Sequence, residues 1–85
     1  MKTFNYTIKD ELGIHARPAG MLSKTAKNFS SVITIKKGEK SINATKLMML
    51  MGLGIKFGDT ITVSIEGDDE EEAFEAMKDF FNSNL

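Results

Sequence analysis

At 85 residues the chain suits one domain with one modest core, too short for two domains or a deep catalytic cleft. It has no Cys and a single His, which removes disulfides, thiolate chemistry and zinc-finger spacing; no metal-ligating cluster of carboxylates is visible either. Its 41% hydrophobic and 27% charged residues are an ordinary globular mix, and its net charge of −1 hides an asymmetry between the two ends.

The chain opens MKTFNYTIK, which has no apolar h-region, so no secretory signal is read. No apolar run approaches the roughly 20 residues that span a bilayer, and a soluble, cytoplasmic protein with no membrane insertion is expected. Phe4, Tyr6 and Ile8 alternate with Thr3, Asn5 and Thr7, the pattern of a half-buried strand. Asp10, Glu11 and Gly13 then make a loop. From Ala16 to about Lys27 the period becomes helical: Ala19, Leu22 and Ala26 recur at three- and four-residue spacing, with Phe29 just beyond, while Ser23, Lys24 and Lys27 lie largely off that stripe.

VITIKK (32–37) reads as a strand, Gly38-Glu39 as a tight connection and KSIN (40–43) as the return strand of a hairpin. LMMLM (47–51) is ambiguous by periodicity. Leu and Met favour a short helix that Gly52 and Gly54 stop early, with Leu50, and less firmly Met49, turned inward. Gly58-Asp59 turns the chain, and Ile61, Val63 and Ile65 mark the last strand. The final helix has Asp69 and Glu72 at capping-box spacing, acids in its first turn, and a stripe of Ala73, Phe74, Met77, Phe80 and Phe81. The order β-α-β-β-α-β-α, with no internal repeat, predicts a single α+β domain over 1–85. It has an antiparallel or mixed sheet with helices packed on one face.

Residues 66–85 carry eight acids against one Lys, whereas 1–65 carry ten of the eleven basic residues against four acids. The acids suit a helix start. The bases suit either a solvated surface or a docking face for an acidic partner. They neither interleave with aromatics nor form a dense run, so no nucleic-acid partner is expected.

LGIHARPAG (12–20) gathers the only His, the only Arg and the only Pro of the chain. Pro18 lacks an N–H and is suited to a helix's first turn, and the residue before it avoids the α conformation. His15 therefore falls at the N-terminal lip of the first helix. There, unpaired N–H groups and the helix dipole favour an anion. An imidazole at that lip is, in its neutral form, a nucleophile. Residue chemistry alone leaves two readings, a solvated cap residue or an acceptor whose phosphoryl group the helix amides and Arg17 hold.

Taken as a unit, GIHARPAG resembles the active-site loop of the HPr family, the histidine-containing phosphocarriers of the bacterial sugar phosphotransferase system. NATKLMMLMGLGI (43–55) is similar to the family's second signature, and DDEEEAFEAM (68–77) to the start of its last helix. The resemblance covers essentially the whole chain. It implies an open-faced sandwich: a four-stranded antiparallel sheet with three helices on one side. It implies a carrier charged by phospho-Enzyme I, itself loaded from phosphoenolpyruvate, that passes the group to IIA domains of sugar permeases. By the match His15 is the acceptor through Nδ1, Arg17 assists, the Ala16 and Arg17 amides cradle the phosphate, and Pro18 sets the helix start. No cofactor or metal is implied.

Leu47, Met48 and Met51 match the family's apolar docking positions, and Gly20, Lys24 and Lys27 the neighbouring surface; Lys46 joins the two lysines in a rim suited to acidic partners. The position of the family's regulatory serine is occupied by Lys46, and Thr45 precedes it. Thr45 is then either the helix N-cap, with serine regulation absent, or a phosphorylation site one residue early. A monomer suits a carrier that visits several partners. The same fold could instead serve as a regulatory module that docks without carrying phosphate, although such a module is expected to lack the His, or as a nitrogen-linked relay. GLGIKFG (52–58) follows a short helix rather than a strand and lacks the P-loop Lys, which argues against nucleotide binding.

Overall fold

The computed structural model describes residues 1–85. Its elements run β1 (Lys2–Thr7), α1 (Ala16–Ala26), β2 (Val32–Lys37), β3 (Lys40–Asn43), α2 (Leu47–Gly52), β4 (Thr60–Glu66) and α3 (Glu70–Asn84). The strands form one antiparallel sheet in the order β1-β4-β2-β3. Phe4 pairs with Val63, Val63 with Ile35 and Ile35 with Ile42, so one apolar row crosses all four strands. Alternation puts Ile33, Ile61 and Ile65 on the same side, and all three are buried. The other side carries Thr3, Asn5, Thr34, Thr62 and Ser64 and faces water. Its polar side chains bond across strands, Thr7 Oγ1 to Thr60 Oγ1 and Thr62 Oγ1 to Asn5 Oδ1, both at 2.8 Å. This is the expected open-faced α+β sandwich.

The helices close the apolar side. α1 presents Ala19, Leu22 and Ala26, all fully buried. α3 presents Ala73, Met77, Phe80 and Phe81. Phe81 meets Phe4, Tyr6 and Phe80 edge-on, with ring centroids 5.9, 5.4 and 6.1 Å apart, the geometry that ring quadrupoles favour. No helix is long and apolar enough to cross a membrane.

Several local expectations are corrected, those for Ser23 and Asp69 by distant partners. Ser23 is buried, not off the stripe, because its hydroxyl donates to the Ala44 carbonyl at 2.8 Å and ties α1 to the connection before α2. Leu50 turns inward as expected, but Met49 is 55% exposed, since a helix of six residues has room for only one inward turn. Thr45 does not cap α2. Lys46 occupies that position, and the Thr45 hydroxyl instead donates to Asn43 Oδ1 at 2.7 Å. The capping box of α3 does not form either. Asp69 stands at the cap position, but its carboxylate turns away to accept the Ser30 and Ser31 N–H groups, each at 2.9 Å, and the Ser31 hydroxyl. It thereby staples the start of α3 to the residues that lead into β2.

The segment between β1 and α1 is also held from outside. Ile8 N–H donates to Asp59 O and Gly58 N–H to Ile8 O, both at 2.9 Å, and Ile14 N–H donates to Ile55 O at 3.1 Å. Lys9 and Asp10 N–H groups donate to Leu85 O at 2.6 and 2.9 Å. Loop 53–59 is itself fixed by Asp59, whose Oδ2 accepts from Lys56 N–H at 2.8 Å and from the Lys37 ammonium at 2.9 Å. These two contacts, the Lys56 N–H first, hold the Asp59 carboxyl below its ordinary range. Gly13 sits where the two loops touch. Its φ is +68°, and a Cβ there would lie 2.4 Å from Ile55 O and 2.7 Å from Lys56 Cα.

Two expected outcomes follow from these staples. Gly13→Ala faces both a positive φ and a backbone collision, so it should destabilise the fold by upwards of about 1 kcal/mol, read as a lowered midpoint in urea unfolding. The Ser31 hydroxyl and the Ser30 N–H hold the Asp69 carboxyl below its ordinary value of 3.8. A carboxylate lowered on folding adds stability above its unfolded value, and that stability is lost as pH falls through the lower folded value. Asp69→Asn should therefore lower the thermal midpoint at neutral pH, and its gap from the parent chain should narrow in melts as the pH falls below that ordinary value of 3.8.

Candidate phosphoryl site and neighbouring helix surface

His15 occupies the N-cap position of α1, with extended backbone (φ −98°, ψ −177°). Its carbonyl accepts the first helical bond, from Ala19 N–H at 2.9 Å, and its imidazole makes no capping bond. The side chain is thus free of the helix that positions it. Pro18 is the third helical residue, is buried, and has no N–H to leave unpaired. That arrangement leaves the Ala16 and Arg17 N–H groups at the mouth of the helix without protein partners. No acid lies in the first turn of α1, so nothing on the helix itself neutralises its positive end.

His15, Arg17 and Pro18 line one open surface cleft of about 280 Å³, together with Asp10, Met21 and Asn84. His15 is half-buried and Arg17 exposed. The imidazole and the guanidinium line the cleft, and two unpaired backbone N–H donors lie at the adjoining helix mouth, which suits a small anion carried at the surface. A reactive group placed here is accessible to a large partner. No group of three His, Asp or Glu side chains gathers to hold a metal ion.

Sequence reasoning missed Asp10, Met21 and Asn84 as wall residues. Asp10 carried a faint signal, since an Asp two residues before a loop N–H is placed for a side-chain turn; its Oδ1 does accept from Leu12 N–H at 2.8 Å. Asn84 carried none. It reaches the cleft because α3 runs back beside β1, and its amide is steadied by donating to Phe80 O at 3.1 Å.

Next to the cleft, α1 and α2 pack side by side. Their outer surface bears Met21, Leu47, Met48 and Met51, with Met48 79% exposed. Lys24, Lys27 and Lys46 are exposed around them. Gly20 leaves open space on α1, for a Cβ there would meet nothing within 4 Å. The expected docking residues therefore lie on these two adjacent helices, and the unexpected exposure of Met49 adds to their apolar area. Thr45 is half-buried, with its hydroxyl engaged by Asn43.

The whole chain has counterparts among known proteins. The family model described as the PTS HPr component phosphorylation site matches residues 2–83. The phosphocarrier protein HPr of Lysinibacillus sphaericus is 46% identical over 77 residues, which are 91% of this chain and 88% of the relative. A crystal structure of HPr-C-His from Thermoanaerobacter tengcongensis superposes with a TM-score of 0.93 at 44% identity, covering 98% of this chain and 93% of that one. A structure described as an HPr dimer from the same organism superposes with a TM-score of 0.77 at 44% identity, covering 98% and 95%. With the sheet order, the half-buried histidine at a helix mouth and these matches in agreement, the chain belongs to the HPr family, the phosphocarrier proteins of the phosphotransferase system.

Proposed function

We propose that His15 is the phosphoryl acceptor of this phosphocarrier, that phospho-Enzyme I loads it, and that IIA domains of sugar permeases unload it. The observation that carries this reading is the placement of the sole imidazole, uncommitted to any hydrogen bond, at the open N-terminus of α1 beside Arg17. The Nδ1 lone pair attacks phosphorus. The bond from phosphorus to the donor breaks, and its electron pair stays with the donor atom. The Ala16 and Arg17 N–H groups and the Arg17 guanidinium hold the phosphoryl oxygens, and the positive helix end steadies their charge. The onward transfer is the same displacement with the IIA nucleophile as the attacker. Positioning and electrostatics supply the catalysis, and no cofactor is needed beyond the phosphoryl group that starts on phosphoenolpyruvate.

Partners dock on α1 and α2 beside the cleft in this reading. Met48, Met51 and Leu47 adapt to several surfaces because unbranched thioethers repack easily, while Lys24, Lys27 and Lys46 steer acidic partners. The carrier works as a monomer that presents one face to each partner in turn. With Lys46 at the cap of α2 and the Thr45 hydroxyl bonded to Asn43, no free hydroxyl stands at that helix start, which supports a carrier without serine-kinase control.

The test of the central reading is incubation with phosphoenolpyruvate and a bacterial Enzyme I, followed by intact mass. One acid-labile phosphoryl group is expected on the parent chain and none on His15→Ala; a gain that survives His15→Ala sinks the assignment. For the docking face, Lys46→Glu should slow phosphoryl acceptance from Enzyme I about threefold to tenfold at low ionic strength and less at about 0.5 M salt, where exposed charges are screened. A rate independent of both the substitution and the salt would remove Lys46 from the interface.

A further inference from the structure

The cleft that holds His15 and Arg17 has a single acidic wall residue, Asp10, and it is built into place rather than left to float. Its N–H donates to Leu85 O at 2.9 Å, its carbonyl accepts from Gly13 N–H at 2.9 Å, and its Oδ1 accepts from Leu12 N–H at 2.8 Å. Both sides of its backbone and one of its carboxylate oxygens are thus tethered. The other oxygen, Oδ2, makes no hydrogen bond and no ion pair within the chain. The turn alone does not require a charge. An Asn side chain would accept the Leu12 N–H equally well, because the Asx turn uses only one carbonyl-type oxygen. What Asp adds is a fixed negative charge on the wall of a cleft where the Arg17 guanidinium and the adjoining helix mouth attract an anion.

We propose that Asp10 sets how readily the loaded carrier gives up its phosphoryl group. The inference rests on His15 being the acceptor. When the His15 nitrogen bonds to phosphorus and the donor leaves with its electron pair, a group carrying between one and two negative charges enters the cleft beside Asp10. Arg17 and the helix amides attract it, and the Asp10 carboxylate repels it. The loaded state is bound less tightly than the cationic features alone would bind it, so it stays poised for onward transfer. Asp10 acts on the phosphoryl group through space and makes no bond to it. Two charges several ångströms apart in a partly solvated cleft, at an effective dielectric between those of protein surface and water, shift such an equilibrium by about threefold to thirtyfold. The shift contracts as the Debye length shortens.

The experiment compares the parent chain with Asp10→Asn, which keeps the turn and removes the charge, and Asp10→Ala, which removes both. Each variant is equilibrated with the parent chain, one of the two carrying a mass tag. A trace of Enzyme I and limiting phosphoenolpyruvate shuttle the group between them, and intact mass reads the share on each. The phosphoryl group is expected to favour Asp10→Asn over the parent about threefold to thirtyfold at low salt, with the ratio falling toward one at about 0.5 M salt. Asp10→Ala should partition in the same direction. Equal shares for Asp10→Asn and parent overturn the inference while leaving His15 as acceptor. So does a departure confined to Asp10→Ala, which makes the residue a turn former only. A parent chain that takes up no phosphoryl group overturns both the inference and the reading beneath it.

Discussion

Everything at the candidate site hangs on the backbone hydrogen bonds that hold residues 8–14 from both flanks. Ile8 and Ile14 are bonded to loop 53–59, and Lys9 and Asp10 to the end of α3. Between these anchors the chain has no regular structure of its own, yet it delivers His15 to the mouth of α1. The anchor on one side is itself anchored. Asp59 gathers the Lys56 N–H and the Lys37 ammonium, and Lys37 also donates to Gly54 O at 2.8 Å, so the end of β2 braces the loop that braces the site. Ion pairs this exposed contribute little by themselves. Here the carboxylate matters because it also completes backbone hydrogen bonding in a loop that has no ladder to rely on.

The sheet was legible from local pattern, and the reason is plain. Ile61, Val63 and Ile65 face a core on one side and water on the other, so alternation alone assigns strand and face, while the neighbours of β4 come from the fold. The helix mouth was legible for a different reason. Pro18 is compatible with few helical positions, and its place dictates where His15 must stand. What escaped was every feature whose partner lies far away in sequence. Asp69 has the spacing of a cap, and by local rules it should satisfy its own helix. Two serine N–H groups and a hydroxyl nearly forty residues away win the carboxylate instead. Ser23 reads as a surface polar residue until Ala44 offers a carbonyl inside the fold.

The candidate site divides along the same line. His15, Arg17 and Pro18 are neighbours in sequence, and the resemblance of the loop around them brought them forward together. The cleft that surrounds them is made by tertiary structure. Asp10 comes from before the motif and Asn84 from the far end of the chain, and no spacing rule connects either to His15. Motif residues of this kind identify a chemistry. The surrounding wall, assembled by the fold, tunes it.

The hydrogen bond from Ser23 to Ala44 has a kinetic side. It ties α1 to the connection ahead of α2, so the two helices are held together by a buried hydrogen bond as well as by their packing. A partner that lands across both meets a surface already assembled, and neither helix loses freedom at the moment of encounter. Contact and release can then both be quick, because no folding step stands between them. Turnover in a relay depends on that symmetry: a carrier that had to reshape for each partner would linger on every one.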